Sequence, residues 1–207
     1  MGRGRAAGYD EQRETILARA AELFAQRGYS ATTMNQVAEA CGLSKPALYH
    51  YYKDKYALLV SIADTHVSRL ETLVQGVLAR KAAPRAQMRA LVEGLVGEYA
   101  FAQHAHRVLT EEVKFLEPGD QQRILEKERA IVSGFAKVVT AIRPDLLATP
   151  MGKPLTMLLF GMINWMFTWM RPDGELGYED MGPMVADLFL NGLSRVAVPK
   201  AKKEIPH

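Results

Sequence analysis

Between Thr32 and Lys55 the chain reads TTMNQVAEACGLSKPALYHYYKDK, and this segment constrains the fold more than any other. Thr33 and Gln36 have the spacing of a capping box that opens a helix. Gly42 stops that helix, because glycine accepts the positive φ of a tight turn. Ser44 is a good N-cap for the next helix, and Pro46 falls in its first turn. Two short helices joined this closely must cross steeply. Ala38 lies where they approach and has to be small, while Val37, Leu43 and Leu48 supply apolar packing across the turn.

The second helix of such a pair can enter the major groove of DNA, about 12 Å wide. Lys45, Ala47, Tyr49 and His50 can reach outward from it. Lys45 and His50 can donate to base edges or phosphates, and Ala47 and the Tyr49 ring can touch a thymine methyl. Thr33 can hold a phosphate through its hydroxyl and backbone N–H, and Lys55 is placed to neutralise another. Tyr49, His50, Tyr51 and Tyr52 are consecutive, and four consecutive aromatic residues cannot all face inward from a helix.

The rest of the chain also reads as helix, with no sustained two-residue alternation. The expected fold is all-α, with about nine helices. The first runs from Asp10 to Arg27, with Ile16, Leu17, Ala20, Leu23 and Phe24 as its apolar stripe and Gly28 as its stop. The fourth runs from Lys55 to Arg80 and the fifth from Arg85 to His104. A sixth reaches Leu116 and the seventh covers Asp120 to Ile142. The eighth spans Pro154 to Met170, ended by Arg171-Pro172-Asp173-Gly174, and the ninth spans Tyr178 to Val198. The expected organisation is a flexible basic arm over 1–9 carrying Arg3 and Arg5, a helix-turn-helix over 10–54, a larger body over 55–198 and a basic tail over 199–207.

Charge and composition narrow the function. The net charge is +3, too small to signal nucleic acid by itself. The placement of Lys45, Lys53 and Lys55 within the motif matters more. One cysteine, Cys41, cannot pair within the chain, which fits a reducing cytoplasm; it reads as a small packed residue rather than a redox switch. The longest apolar run, Leu155 to Met170, holds 16 residues and Asn164; a membrane span needs about 20. The chain is therefore expected to be cytoplasmic, without membrane contact. No nucleotide loop or nucleophile elbow is present. His104 and His106, two apart, do not share a helix face. No catalytic residue, metal ligand or cofactor is expected, and an α-helical enzyme is the weakest alternative.

The ordered set Gly28-Tyr29, Thr32-Thr33, Val37-Ala38, Gly42-Leu43-Ser44 and Leu48-Tyr49-His50-Tyr51-Tyr52-Lys53-Asp54-Lys55 resembles the DNA-binding head of the TetR/AcrR family of bacterial repressors. The resemblance covers roughly a quarter of the chain. It implies that Thr33, Tyr49, Tyr51 and Lys55 contact phosphates and that Lys45, Pro46, Ala47 and His50 face bases, with Ser44 opening the reading helix. Tyr52 stands where the family more often has a buried Phe, which assigns it to packing.

The same resemblance implies that the last two helices pair with those of a second copy, making a homodimer on double-stranded DNA. Leu158, Gly161, Met162 and Trp165 lie near one face of the eighth helix, and Val185, Leu188, Phe189, Gly192 and Val196 are their expected counterparts on the ninth. Eight of the ten methionines fall between Met88 and Met184, and flexible Met suits an adaptable apolar site. Tyr99, Phe115, Phe135, Met162, Trp165, Met166 and Trp169 are candidate ligand residues, with Trp165 and Trp169 as an i,i+4 pair. The segment from Phe160 to Gly174 resembles the family's acyl-CoA-responsive regulators, which implies a small-molecule effector of that class. Arg107, Lys114 or Arg123 would then meet its phosphates. A dimeric DNA-binding protein without a ligand is the alternative.

Overall fold

The computed structural model describes residues 3–170 and 174–197. Among these are nine α-helices: α1 (Arg3–Arg27), α2 (Met34–Ala40), α3 (Lys45–Tyr51), α4 (Lys55–Leu78), α5 (Pro84–Phe101), α6 (Gln103–Glu111), α7 (Pro118–Ile142), α8 (Gly152–Asn164) and α9 (Tyr178–Leu193). Short 3₁₀ turns occupy Val113–Phe115, Pro144–Ala148 and Met166–Thr168, and no described residue is in a strand. The expected tail with Lys200, Lys202 and Lys203, and the Arg171-Pro172-Asp173 stop, lie outside the described residues.

The chain forms two compact units. The first comprises residues up to Thr72 together with Glu98–Arg129. Its core is built on α1, where Ile16, Ala20 and Phe24 recur at helical spacing and are buried. They are joined in that core by Val37 of α2, Leu48 of α3, Leu58 and Leu59 of α4, and Ile124 of α7. α1 packs on α2 and α6. The second unit comprises Leu73–Gly97 and the residues from Ala130 onward. Its core holds Met88 and Leu91 of α5, Val138 of α7, Leu159 and Ile163 of α8, and Ala186 and Leu190 of α9. Phe135 and Phe160 meet there edge to face at 5.0 Å. Arg143 closes α9: its guanidinium donates to the carbonyls of Leu193 (2.6 Å) and Val196 (3.1 Å), a cation at the negative end of a helix.

Several boundaries differ from the sequence reading. α1 starts at Arg3 instead of Asp10, because Arg5, Ala6 and Ala7 are strong helix formers that extend it backward. The fifth and sixth helices divide at Ala102, whose backbone (φ −119°, ψ 41°) leaves the helical region. α8 stops at Asn164, well before Met170. The run from Asn164 to Trp169 is rich in weak helix formers, so the chain tightens into a 3₁₀ turn there. Trp165 and Trp169 are therefore not an i,i+4 pair on one helix. α9 ends at Leu193, five residues short of Val198, where Arg143 takes the terminal carbonyls.

Candidate nucleic-acid interface

The interface is built from capping outward. Thr32 and Thr33 do opposite jobs. Thr32 is buried and its hydroxyl donates to the Gly28 carbonyl (2.9 Å), closing α1. Thr33 opens α2: its Oγ1 accepts from the Gln36 N–H (3.3 Å), and the Gln36 side chain accepts from the Thr33 N–H (2.8 Å). Gly28 and Gly42 both have positive φ, +84° and +63°. At Gly42 the turn is fully bonded, with the Gly42 N–H on the Glu39 carbonyl (3.0 Å) and the Leu43 N–H on the Ala38 carbonyl (2.9 Å). That double closure is the Schellman arrangement, and any residue with a Cβ would strain it. Ser44 then caps α3 by accepting from the Ala47 N–H (3.3 Å).

These caps fix which side of α3 faces out. Leu48 and Tyr52, four apart, point into the core at 0% and 3% exposure. Lys45, Pro46, Tyr49 and His50 are exposed, and Ala47 is half-buried beside them. Tyr51 is half-buried and stacks on Tyr9 of α1, with ring centroids 4.9 Å apart, a partner that no spacing rule points to. Tyr52 packs as expected, with the Arg13 guanidinium 5.2 Å above its ring. Cys41 is half-buried. Burial pushes its thiol up, away from the reactive thiolate.

Lys55 has a place that spacing did not reveal. Its ammonium donates to three backbone carbonyls, Tyr29 (2.7 Å), Ser30 (3.2 Å) and Thr32 (2.8 Å), and lies 4.4 Å from the centre of the Tyr29 ring. An ammonium has three N–H donors, so all three are engaged. Burial holds its pKa below the usual lysine value. Lys55 thereby ties the first turn of α4 to the loop that precedes α2. Asp54 completes the junction as the N-cap of α4, accepting from the Ala57 N–H at 2.7 Å.

The candidate ligand residues divide between the two units. In the first unit, Tyr99 is buried and stacks on His106 at 3.6 Å. Burial pushes the Tyr99 hydroxyl up, and it pushes His66 down to about 4 and His106 to about 3. The facing nitrogens of the two histidines are 3.3 Å apart. Arg107 is paired with Glu111 (3.0 Å) and Arg123 with Asp120 (2.7 Å). Phe115 packs against Tyr29, centroids 5.3 Å apart. In the second unit, Phe135 and Met166 are core residues, whereas Met162, Trp165 and Trp169 are exposed.

That exposure is part of a larger pattern. On α8 the exposed residues after Lys153 and Pro154 are Met157, Leu158, Gly161 and Met162, followed by Trp165 just past its end; on α9 they include Met184, Asp187, Leu188, Asn191 and Gly192. The α9 stripe corrects the expected one in part. Val185 and Phe189 are buried, while the expected Leu188 and Gly192 stand outward together with Met184.

Comparison with known proteins places this architecture. The family described as "Bacterial regulatory proteins, tetR family" matches residues 16–62, which contain the helix-turn-helix. The one described as "Tetracyclin repressor-like, C-terminal domain" matches residues 81–193. The chain belongs to the tetR family of bacterial regulatory proteins, with a DNA-binding head of the helix-turn-helix type. A TetR-family transcriptional regulator from Bordetella parapertussis is 32% identical, with a TM-score of 0.82 over 90% of this chain and 98% of that one. The HTH-type transcriptional activator FasR of Mycolicibacterium smegmatis is 32% identical over 53% of this chain, a match that spans only half of FasR. AibR in complex with isovaleryl coenzyme A and operator DNA shares the fold, with a TM-score of 0.73 at 23% identity over 87% of this chain and 97% of AibR.

Proposed function

We propose that the chain is a homodimeric transcriptional repressor that occupies a near-palindromic operator and is released by a small apolar effector of the acyl-CoA thioester class. The observation that carries the DNA reading is the division of α3: Leu48 and Tyr52 bury one side while Lys45, Pro46, Tyr49 and His50 stand out on the other. A rigid, capped helix with an outward polar and aromatic face is what groove reading needs. In this reading residues 10–54 contact DNA. Lys45, Pro46, Ala47 and His50 meet base edges, and Thr33, Tyr49 and Tyr51 hold phosphates. Residues 55–198 carry the pairing surface and the effector site, and the protein works in the cytoplasm.

Dimerisation is supported by the exposed Leu158, Met162, Trp165, Met184 and Leu188. Contiguous apolar surface of this kind marks an interaction face. Repression needs only occupancy of a promoter, with no contact to polymerase, and is the simpler consequence of operator binding.

The effector class is supported by the isovaleryl coenzyme A bound to AibR and by the Met- and aromatic-rich second unit. Phe135 and Met166 are buried, so an acyl chain reaching them must open the core. Ligand and DNA would then prefer different conformations, and differential affinity for the two is the whole driving force. The test is fluorescence anisotropy of a labelled duplex from the gene's own upstream region, titrated with protein and then with acyl-CoA thioesters. Salt-sensitive binding reversed by one thioester is expected. Binding that none reverses favours the ligand-independent regulator, and binding no tighter than to random DNA removes self-regulation.

A further inference from the structure

We propose that the N-terminal turns of α1 form a second DNA-contacting surface, outside residues 10–54, on which Arg5 holds a backbone phosphate just beyond the one assigned to Tyr51. The proposal rests on α3 as the reading helix and extends its footprint. Arg5, Tyr9 and Arg13 recur every four residues of α1, so their positions share one helix face. Two contacts show where that face points. Tyr9 stacks on Tyr51, the last residue of α3, with ring centroids 4.9 Å apart. The Arg13 guanidinium lies 5.2 Å from the centre of the ring of Tyr52, the next residue.

The stripe runs from the core to the surface. Arg13 is half-buried against the buried Tyr52, and Tyr9 is exposed beside the half-buried Tyr51. One further turn, about 6 Å along the axis, continues the same face outward to position 5. Because the stripe is stacked on α3, it travels with the reading helix, and a cation at its outer end extends the surface that α3 presents to DNA.

Charge on this stretch runs against the helix that carries it. The first turn of α1 holds no acidic residue and carries Arg3 and Arg5, although the positive end of a helix favours anions. A phosphate beside Arg5 reverses that mismatch and adds a charge-assisted hydrogen bond. The nearest acids are the exposed Asp10, Glu11 and Glu14. Each lies about 100° or more around the helix from Tyr9, so none shares the stripe. Arg13 has no carboxylate partner among the described residues. The face that meets α3 is thus cationic and aromatic, which suits a phosphate and carries no base code. Arg3 lies about 120° from Tyr9 and is off the stripe.

The test is fluorescence anisotropy of the intact chain on a duplex carrying its selected site with long flanks, over roughly 50–200 mM salt. Arg5→Gln should weaken binding to every sequence and reduce the salt slope by about one unit for each head on the duplex, with the melting temperature unchanged. Arg5→Lys should restore the slope. Arg3→Gln removes the same charge from another face and should leave the slope nearly as it was. Tyr9→Ala should lose what Arg5→Gln loses, and adding Arg5→Gln to it should cost little more, whereas Tyr9→Phe keeps the stack and the slope. Ethylation of phosphates just outside the half-site should interfere with the natural chain and not with Arg5→Gln. An unchanged slope in Arg5→Gln, an equal loss in Arg3→Gln, or a change in selected base pairs in place of the slope would each overturn the proposal. Failure of α3 as the reading helix is seen separately, in a natural chain that selects no sequence at all, and that outcome takes this proposal with it.

Discussion

Two outward surfaces on this molecule are exposed for opposite reasons. On α3 the exposed groups are Lys45, Tyr49 and His50, which carry donors, a charge and ring faces. Around α8 and α9 the large exposed side chains are Leu158, Trp165 and Leu188, at 66%, 67% and 64% exposure, and these three carry almost nothing polar. The first surface satisfies itself in water and loses little by staying open. The second leaves large aliphatic and indole groups in water, each worth about 1.5–3 kcal/mol when buried. In the function proposed above, one is a reading surface for a charged polymer and the other a pairing surface for a like chain. The two faces fail in different ways, and substitutions can separate them.

The largest effect should come from the pairing face. Leu158→Glu with Leu188→Glu places charges where a partner has to be desolvated. Sedimentation should show a monomer that keeps its helical circular dichroism, and operator affinity should fall by about a hundredfold or more once two heads are no longer linked. A dimer that survives both charges would move the interface elsewhere.

Lys55→Ala comes next. It leaves the Tyr29, Ser30 and Thr32 carbonyls without their shared cation, and hydrogen bonds to a charged group contribute about 1.5–3 kcal/mol. Thermal unfolding should show a loss of that order, while the salt slope of DNA binding stays where it was. A slope reduced by about one unit with unchanged stability would instead make Lys55 a phosphate contact.

His50→Ala should leave stability alone and shift base preference by about 1–3 kcal/mol at one position of each half-site; an unchanged preference in a site selection removes His50 from the base contacts.

The smallest effect belongs to the buried histidines. Folding lowers His66 to about 4 and His106 to about 3 from an ordinary value near 6.5. The unfolded chain thus binds protons first as pH falls, so this stability is complete above about 6.5 and is lost on acidification toward 4. Replacing both residues with Gln should flatten the fall in melting temperature between pH 6.5 and 4.

The outward side of α3 was legible in the sequence, and the apolar exposed side of α8 and α9 only in part. Thr33, Gly42, Ser44 and Pro46 act through local rules of capping and turn geometry, which leave their mark at fixed spacings. Their positions and the burial of Leu48 could be read without the fold. On α9 a periodicity can be phased in more than one way, and the chain chose to bury Val185 and Phe189 while exposing Met184 and Leu188. The end of α8 was hidden because Trp165 to Met170 is apolar enough to continue a helix, although Trp165, Phe167, Thr168 and Trp169 are weak helix formers. Lys55 and Tyr51 were out of reach for another reason. Their partners are distant in sequence, Tyr29 for Lys55 and Tyr9 for Tyr51, and no spacing rule connects them.

The most direct measurement is selection of binding sites from random duplex DNA with the full-length protein. A dimer reading with two copies of α3 should enrich inverted half-sites about one helical turn apart, 34–36 Å centre to centre, and the Leu158→Glu, Leu188→Glu protein should enrich nothing. Enrichment of single half-sites by both proteins would contradict the account, because reading would then not depend on the apolar face at all.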